Sequence, residues 1–179
     1  MAEAVAPHAP IVVIGVGNAL RGDDGAGIAV VRRLRAQPGV QILEQSGEAT
    51  ALLGALRGAE VAIVVDAAAG TRPGRVRRLD ASTGPLPHGL FACSTHGFGV
   101  AEGIELARAL GTLPRRCVVY ALEGARFEAG APASPAVETS IARAAAGIEA
   151  ELDAIRASQA KARDACSAAR PSTMARPRS

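Results

Sequence analysis

Aromatic residues are almost missing from this chain: one Tyr, three Phe and no Trp, 2% of the sequence. Proteins that bind single-stranded nucleic acid stack bases on aromatic platforms, so that class has almost no raw material here. Cysteine is scarce as well. Cys93, Cys117 and Cys166 are odd in number and far apart, which fits a reducing compartment better than a disulfide framework. No apolar run approaches the roughly 20 residues that span a bilayer. The opening MAEAVAPHAP holds an acid, a histidine and two prolines without an apolar stretch, so it does not read as a secretory signal. A strained G-x-S-x-G turn, which would expose a serine nucleophile, is also lacking. The expectation is a cytoplasmic protein that contacts neither membrane nor nucleic acid.

Charge of the two signs is nearly balanced over most of the length. The formal net charge is +3, yet residues 157–179 carry Lys161, Arg163, Arg170, Arg176 and Arg178 against Asp164 alone. The rest of the chain is therefore slightly acidic, and the basic character belongs to an Ala/Ser/Pro/Arg tail of the kind that stays solvated and disordered. Residues 1–156 are expected to form a single α/β domain, with 157–179 as that tail. With 179 residues, 49% of them hydrophobic, the chain can bury a sound core without disulfides or a structural metal.

What is present is a regular alternation of short apolar runs and helical patterns. IVVIGVG (11–17), VQIL (40–43), VAIVVDA (61–67) and CVVYALEG (117–124) read as strands buried on both faces. GRVRRLD (74–80) alternates and is basic, as an edge strand would be. Helical spacing appears in Ile28, Val31 and Leu34, in Leu52, Leu53 and Leu56, and in Ile104, Ala107 and Leu110. It is clearest in Val137, Ile141, Ala145, Ile148, Leu152 and Ile155, preceded by Ser134 as N-cap and Pro135 at the first helical position. This order implies a three-layer α/β fold: an open, mainly parallel, twisted sheet with helices on both faces. Ligands of such sheets lie beyond the carboxyl ends of the strands, where the strand order reverses. Asp23 and Asp24, the segment Ser46 to Thr50, Asp66 and Glu123 all fall at expected strand ends and should converge there.

The stretch GVGNALRGDDGAG (15–27) resembles a dinucleotide fingerprint, but Leu20 stands where the third glycine is needed. Two aspartates at the helix start would also repel a diphosphate. Of that pair, one can cap the helix while the other points elsewhere. Asp66 ends a buried run, so it needs a hydrogen-bond network or a cation. His96, in CSTHGFGV, has three possible roles. It can pair with Cys93 on a metal, act as a base for Ser94 or Cys93, or join Asp24 and Asp66 as a third ligand. The first offers too few soft ligands for structural zinc, and the second lacks the nucleophile's turn. Two carboxylates and an imidazole form an incomplete shell suited to a divalent first-row metal, with positions left open. Spacing alone leaves a metal-dependent hydrolase and a metal-recognition module as alternatives.

GVGNALRGDDGAG, VAIVVDA, STHGFGV and YALEG, in this order and at these intervals, resemble the NiFe-hydrogenase maturation proteases over roughly residues 10 to 155. Members of that family remove a C-terminal extension from the hydrogenase large-subunit precursor after nickel insertion. The resemblance implies a metal-dependent endopeptidase whose metal ligands are Asp24, Asp66 and His96, with Asp23 left as a helix cap. It further implies that nickel is supplied by the substrate and that the large-subunit precursor is the partner. No covalent nucleophile is identified, and the protein is expected to work as a monomer. The alternative is a nickel-sensing chaperone that docks the precursor without cutting it. EQSGEATALL and STHG depart from the commoner family forms at those places.

Overall fold

A computed structural model describes residues 11–87, 89–91 and 99–168, with side chains described as far as residue 161. β1 (Ile11–Val16) is followed by a single 3-10 turn (Gly22–Gly25) and α1 (Ala26–Val31). Then come β2 (Val40–Gln45), α2 (Ala49–Leu56), β3 (Val61–Ala69) and β4 (Val76–Asp80), followed by α3 (Val100–Ala109), β5 (Arg116–Gly124) and α4 (Pro135–Ala168). The strand order is β2-β1-β3-β5-β4. All neighbours are parallel except β4, which runs antiparallel on β5 as the expected basic edge strand.

Strand side chains point alternately to the two faces, and the two cores follow that alternation. Ile11, Val13, Ile63, Val65, Val118 and Leu122 pack under α1 and α4. Val12, Ile14, Ala62, Val64, Val119 and Ala121 pack under α2 and α3. The expected α/β three-layer architecture is therefore present. Leu110 departs from the pattern: it sits at the end of α3, 55% exposed. Helix α4 continues past residue 156, where the sequence suggests a tail, to Ala168. Its apolar stripe, Val137 to Ile155, ends where the sheet ends. Residues 169–179 lie outside the described residues. Among the described residues no helix is long and apolar enough to cross a membrane.

One polar cluster joins α4 to the sheet. Glu151 accepts from Arg78 (2.6 and 3.0 Å), from Arg116 (2.8 Å) and from the Tyr120 hydroxyl (2.8 Å). Burial alone would raise its pKa, but the bonds from Arg78, Tyr120 and Arg116 prevail and hold the carboxyl down to about 2. A carboxylate with a lowered pKa stabilises the fold above its unfolded value, and that stability is lost as pH falls through the folded one. Glu151→Gln should cost about 1–2 kcal/mol in urea unfolding at pH 7. That is less than a fully buried pair would lose, because both guanidiniums are almost half exposed. The variant should also show a flatter loss of stability between pH 4.5 and 2 than the parent.

Candidate functional site

The turn after β1 is built on close backbone approaches. Gly17 has φ +135, and a Cβ there would stand 1.9 Å from the carbonyl oxygen of Asp24, so only glycine lets the chain fold back on itself. Gly27 brings α1 against the strands: its missing Cβ would lie 2.3 Å from the carbonyl oxygens of Val16 and Val65. Within the turn, Asn18 accepts from the Leu20 amide through its side chain and from the Arg21 amide through its carbonyl.

The two aspartates of this turn have separate tasks. Asp23 is fully buried and does not cap a helix, contrary to expectation. Its carboxylate reaches the loop between β5 and α4. There it accepts from the amides of Ala125 (2.8 Å), Arg126 (3.0 Å) and Ser134 (2.6 Å), and from the Ser134 hydroxyl (3.0 Å). The amide of Asp23 in turn donates to the Arg126 carbonyl, and Gly22 donates to Ala131. Burial works against the charge, but the bonds from Ser134, Ala125 and Arg126 outweigh it and lower the Asp23 pKa. Ser134 does stand before Pro135, and its carbonyl accepts the first helical amide, from Glu138. Its hydroxyl, however, serves Asp23 rather than the helix.

Asp24 faces the other way, half-buried in a cleft of about 440 Å³ that it shares with Asn18, Arg21, Glu44, Gln45 and Ser46. Asp66 does not end its strand, since β3 continues to Ala69. It lies one residue beyond the last β1/β3 pair, Gly15 with Val65, and so stands level with the point where β1 stops. The strand order reverses between β1 and β3, which places both acids at the topological switch point.

Asp66 is 3% exposed, and its carboxylate accepts from its neighbour Ala67 at 2.8 Å. Burial, and secondarily the charge of Asp24, push its pKa up to about 8 despite that bond. Burial also raises Asp24, against the opposing effects of Arg21 and an Asn18 backbone bond. Two desolvated carboxyls, one of which raises the pKa of the other through its charge, offer oxygen donors of the kind a divalent cation takes. Their donor set therefore fits a metal. Among the described residues no group of three His, Cys, Asp or Glu gathers. His96 lies outside the described residues, as do Cys93, Ser94, His8 and His88.

Not every strand-end group converges. Glu123 is buried against the β3–β4 turn, where it accepts from the Arg72 amide at 3.1 Å and faces Arg75 at 3.9 Å. Ser46 does reach the cleft. Cys117 is buried with its thiol pushed up to about 12, so it is no nucleophile at neutral pH. Sequence reading missed Gln45 at the end of β2, whose side-chain nitrogen donates to the Ala51 carbonyl while its oxygen is buried without a partner. A polar residue closing a half-apolar strand beside the switch point is the signal that would have pointed to it. A larger groove, about 610 Å³ between Ile11, Pro38 and α4, opens at the amino ends of the strands. That is the wrong end of such a sheet for a ligand.

Fold and cleft together define an open α/β protein with one buried and one half-buried acid at its β1/β3 switch point. The family model described as hydrogenase maturation protease matches residues 28–151, and the chain belongs to that family. The chain is 33% identical over 138 residues to the hydrogenase expression/formation protein HupD of Bradyrhizobium diazoefficiens, covering 74% of this chain and 72% of the relative. It is 30% identical over 118 residues to the HupD of Thiocapsa roseopersicina, covering 63% of this chain but only about half, 53%, of that relative. Among solved structures, an endopeptidase from Escherichia coli superposes with a TM-score of 0.67 at 26% identity, over 79% of this chain and 91% of that one. The hydrogenase maturating endopeptidase HybD from E. coli gives a TM-score of 0.64 at 24% identity, over 80% and 91%. This last likeness is one of fold.

Asp23→Asn leaves one accepting oxygen where two charged ones served four donors. It should lower the unfolding free energy by about 2–4 kcal/mol in a urea titration.

Proposed function

We propose that this protein is an endopeptidase that removes the C-terminal extension of a NiFe-hydrogenase large-subunit precursor once nickel has been inserted, acting as a monomer. Membership in the hydrogenase maturation protease family supports the reaction class. The observation that carries the site is the coupled pair Asp24 and Asp66, desolvated at the switch point beside an open cleft. Asp24, Asp66 and His96 would hold nickel that arrives with the precursor as part of the substrate.

Nickel supplies Lewis-acid polarisation of the scissile carbonyl or of an attacking water. The protein's own part is to position and to move protons. Asp66, raised to about 8 by burial and by Asp24, holds a proton at neutral pH. Holding a cation together with Asp24 would require Asp66 to be ionised, so metal binding there would release that proton. Asp24 stays closer to the cleft, on a turn that Asp23 has fixed from behind, so the peptide bond meets a pre-positioned carboxylate. Cleavage that waits for nickel makes the site a checkpoint, in which metal binding energy sets the peptide geometry.

The test compares nickel-loaded with nickel-free precursor by mass spectrometry. Shortening only of the loaded form is expected, and chelating nickel from the precursor should abolish it. Co-migration without shortening would favour the nickel-sensing chaperone, and indifference to both forms would reject the reading. Asp66→Asn and His96→Ala should each lower the processing rate by at least about 100-fold, a loss of about 2.7 kcal/mol in transition-state binding. Circular dichroism should remain that of the parent.

A further inference from the structure

The two edges of the sheet are finished differently. β4 reads Val-Arg-Arg-Leu-Asp, and Arg77, Arg78 and Asp80 give it the charges with which natural proteins block strand addition. β2 closes the opposite edge as a regular six-residue strand, VQILEQ, with Val40, Ile42 and Leu43 only half-buried. Its single acid, Glu44, is neutralised by a two-point pair with Arg32 at 2.8 Å.

Backbone direction decides what this edge offers. The Gln45 carbonyl accepts from the Gly17 amide at 3.0 Å, so Gln45 faces β1. By alternation Leu43 and Gln41 do the same, and Ile42 and Glu44 turn their amides and carbonyls outward. The outward amide of Val40 is taken by the Gln37 carbonyl. Those of Ile42 and Glu44 have no acceptor among the described residues. The free row ends in the cleft, because Glu44, Gln45 and Ser46 line it together with Asp24.

We propose that this edge receives the C-terminal segment of the precursor as an added β-strand, so that main-chain hydrogen bonds to Ile42 and Glu44 carry the scissile bond to Asp24. The inference rests on the endopeptidase reading above. An extended peptide is the occupant because the edge presents backbone donors and acceptors in a row, and because that row ends at Glu44, Gln45 and Ser46 in the cleft that Asp24 lines. Recognition by β-addition draws affinity from main-chain bonds and leaves side chains to set specificity. The enzyme would then hold its substrate by shape and backbone, with nickel left to decide whether it is cut.

The test uses the full chain, nickel-loaded precursor, and synthetic peptides spanning the precursor's cleavage region as competitors, each N-methylated at one backbone amide. Methylation at alternate residues should weaken competition at least tenfold, with the intervening positions within about twofold of the parent peptide. Equal effects at all positions, or failure of the unmethylated peptide to compete at millimolar concentration, would overturn the proposal. Glu44→Pro removes one outward amide hydrogen and leaves the β1 ladder intact. It should raise KM for the precursor about tenfold with kcat nearly unchanged, whereas Glu44→Gln, which keeps that amide, should raise KM much less. Concentration-dependent dimerisation abolished by Glu44→Pro would assign the edge to a second copy of the chain instead. If the parent processes precursor but the period-two pattern is missing, the docking inference alone fails. If the parent processes nothing, the endopeptidase reading fails with it.

Discussion

The buried carboxylate of Asp23 is the contact on which the site depends. It lies between two segments that are far apart in sequence, the turn after β1 and the loop before α4, and it satisfies three backbone amides and one hydroxyl at once. A turn of this kind, rich in glycine and lacking its own cap, would otherwise fray. Fixing it from behind costs one ionised group in the interior, and four hydrogen bonds offset that cost. With Asp23 turned to the loop before α4, its neighbour Asp24 lines the cleft beside Asn18 and Arg21. Adjacent acids thereby take on different chemistry, one structural and ionised, the other half-buried and raised in pKa.

Register supplies the second part of the site. β3 runs three residues beyond Asp66, paired there with β5 alone, because β1 has already turned away. Asp66 therefore sits at a step in the sheet, covered from solvent but next to the space the turn has left. A carboxyl in that position pays for burial with a raised pKa, and among the described residues no cation is paired with it. Glu151 makes the comparison plain. It too is buried, though less deeply, and two guanidiniums and a phenol keep it ionised. Glu151, which holds the fold together, is partnered by two cations, whereas burial leaves both acids at the switch point with raised pKa values.

Much of this was legible in the sequence. Strand runs, the basic edge strand and the last helix stand close to where apolar periodicity puts them, since buried strands and amphipathic helices leave strong local patterns. The Asp24 and Asp66 positions follow from strand order, a property of open α/β sheets. Less legible were the groups whose role depends on a distant partner. Asp23 looks like a cap because a cap is the nearest local use for an aspartate at a helix start. Its true partners lie more than a hundred residues on. Glu123 looks like a member of the site, but a neighbouring turn takes it.

The sequence by itself determined the fold class, the alternation of layers and the two acids at one sheet edge, because each follows from local period and chain order. Tertiary structure alone decided which aspartate is ionised and structural, which is desolvated beside the cleft, and which edge strand keeps outward amides without an acceptor among the described residues. Those properties depend on the dielectric and the hydrogen-bond partners that a residue meets only after remote segments have packed around it.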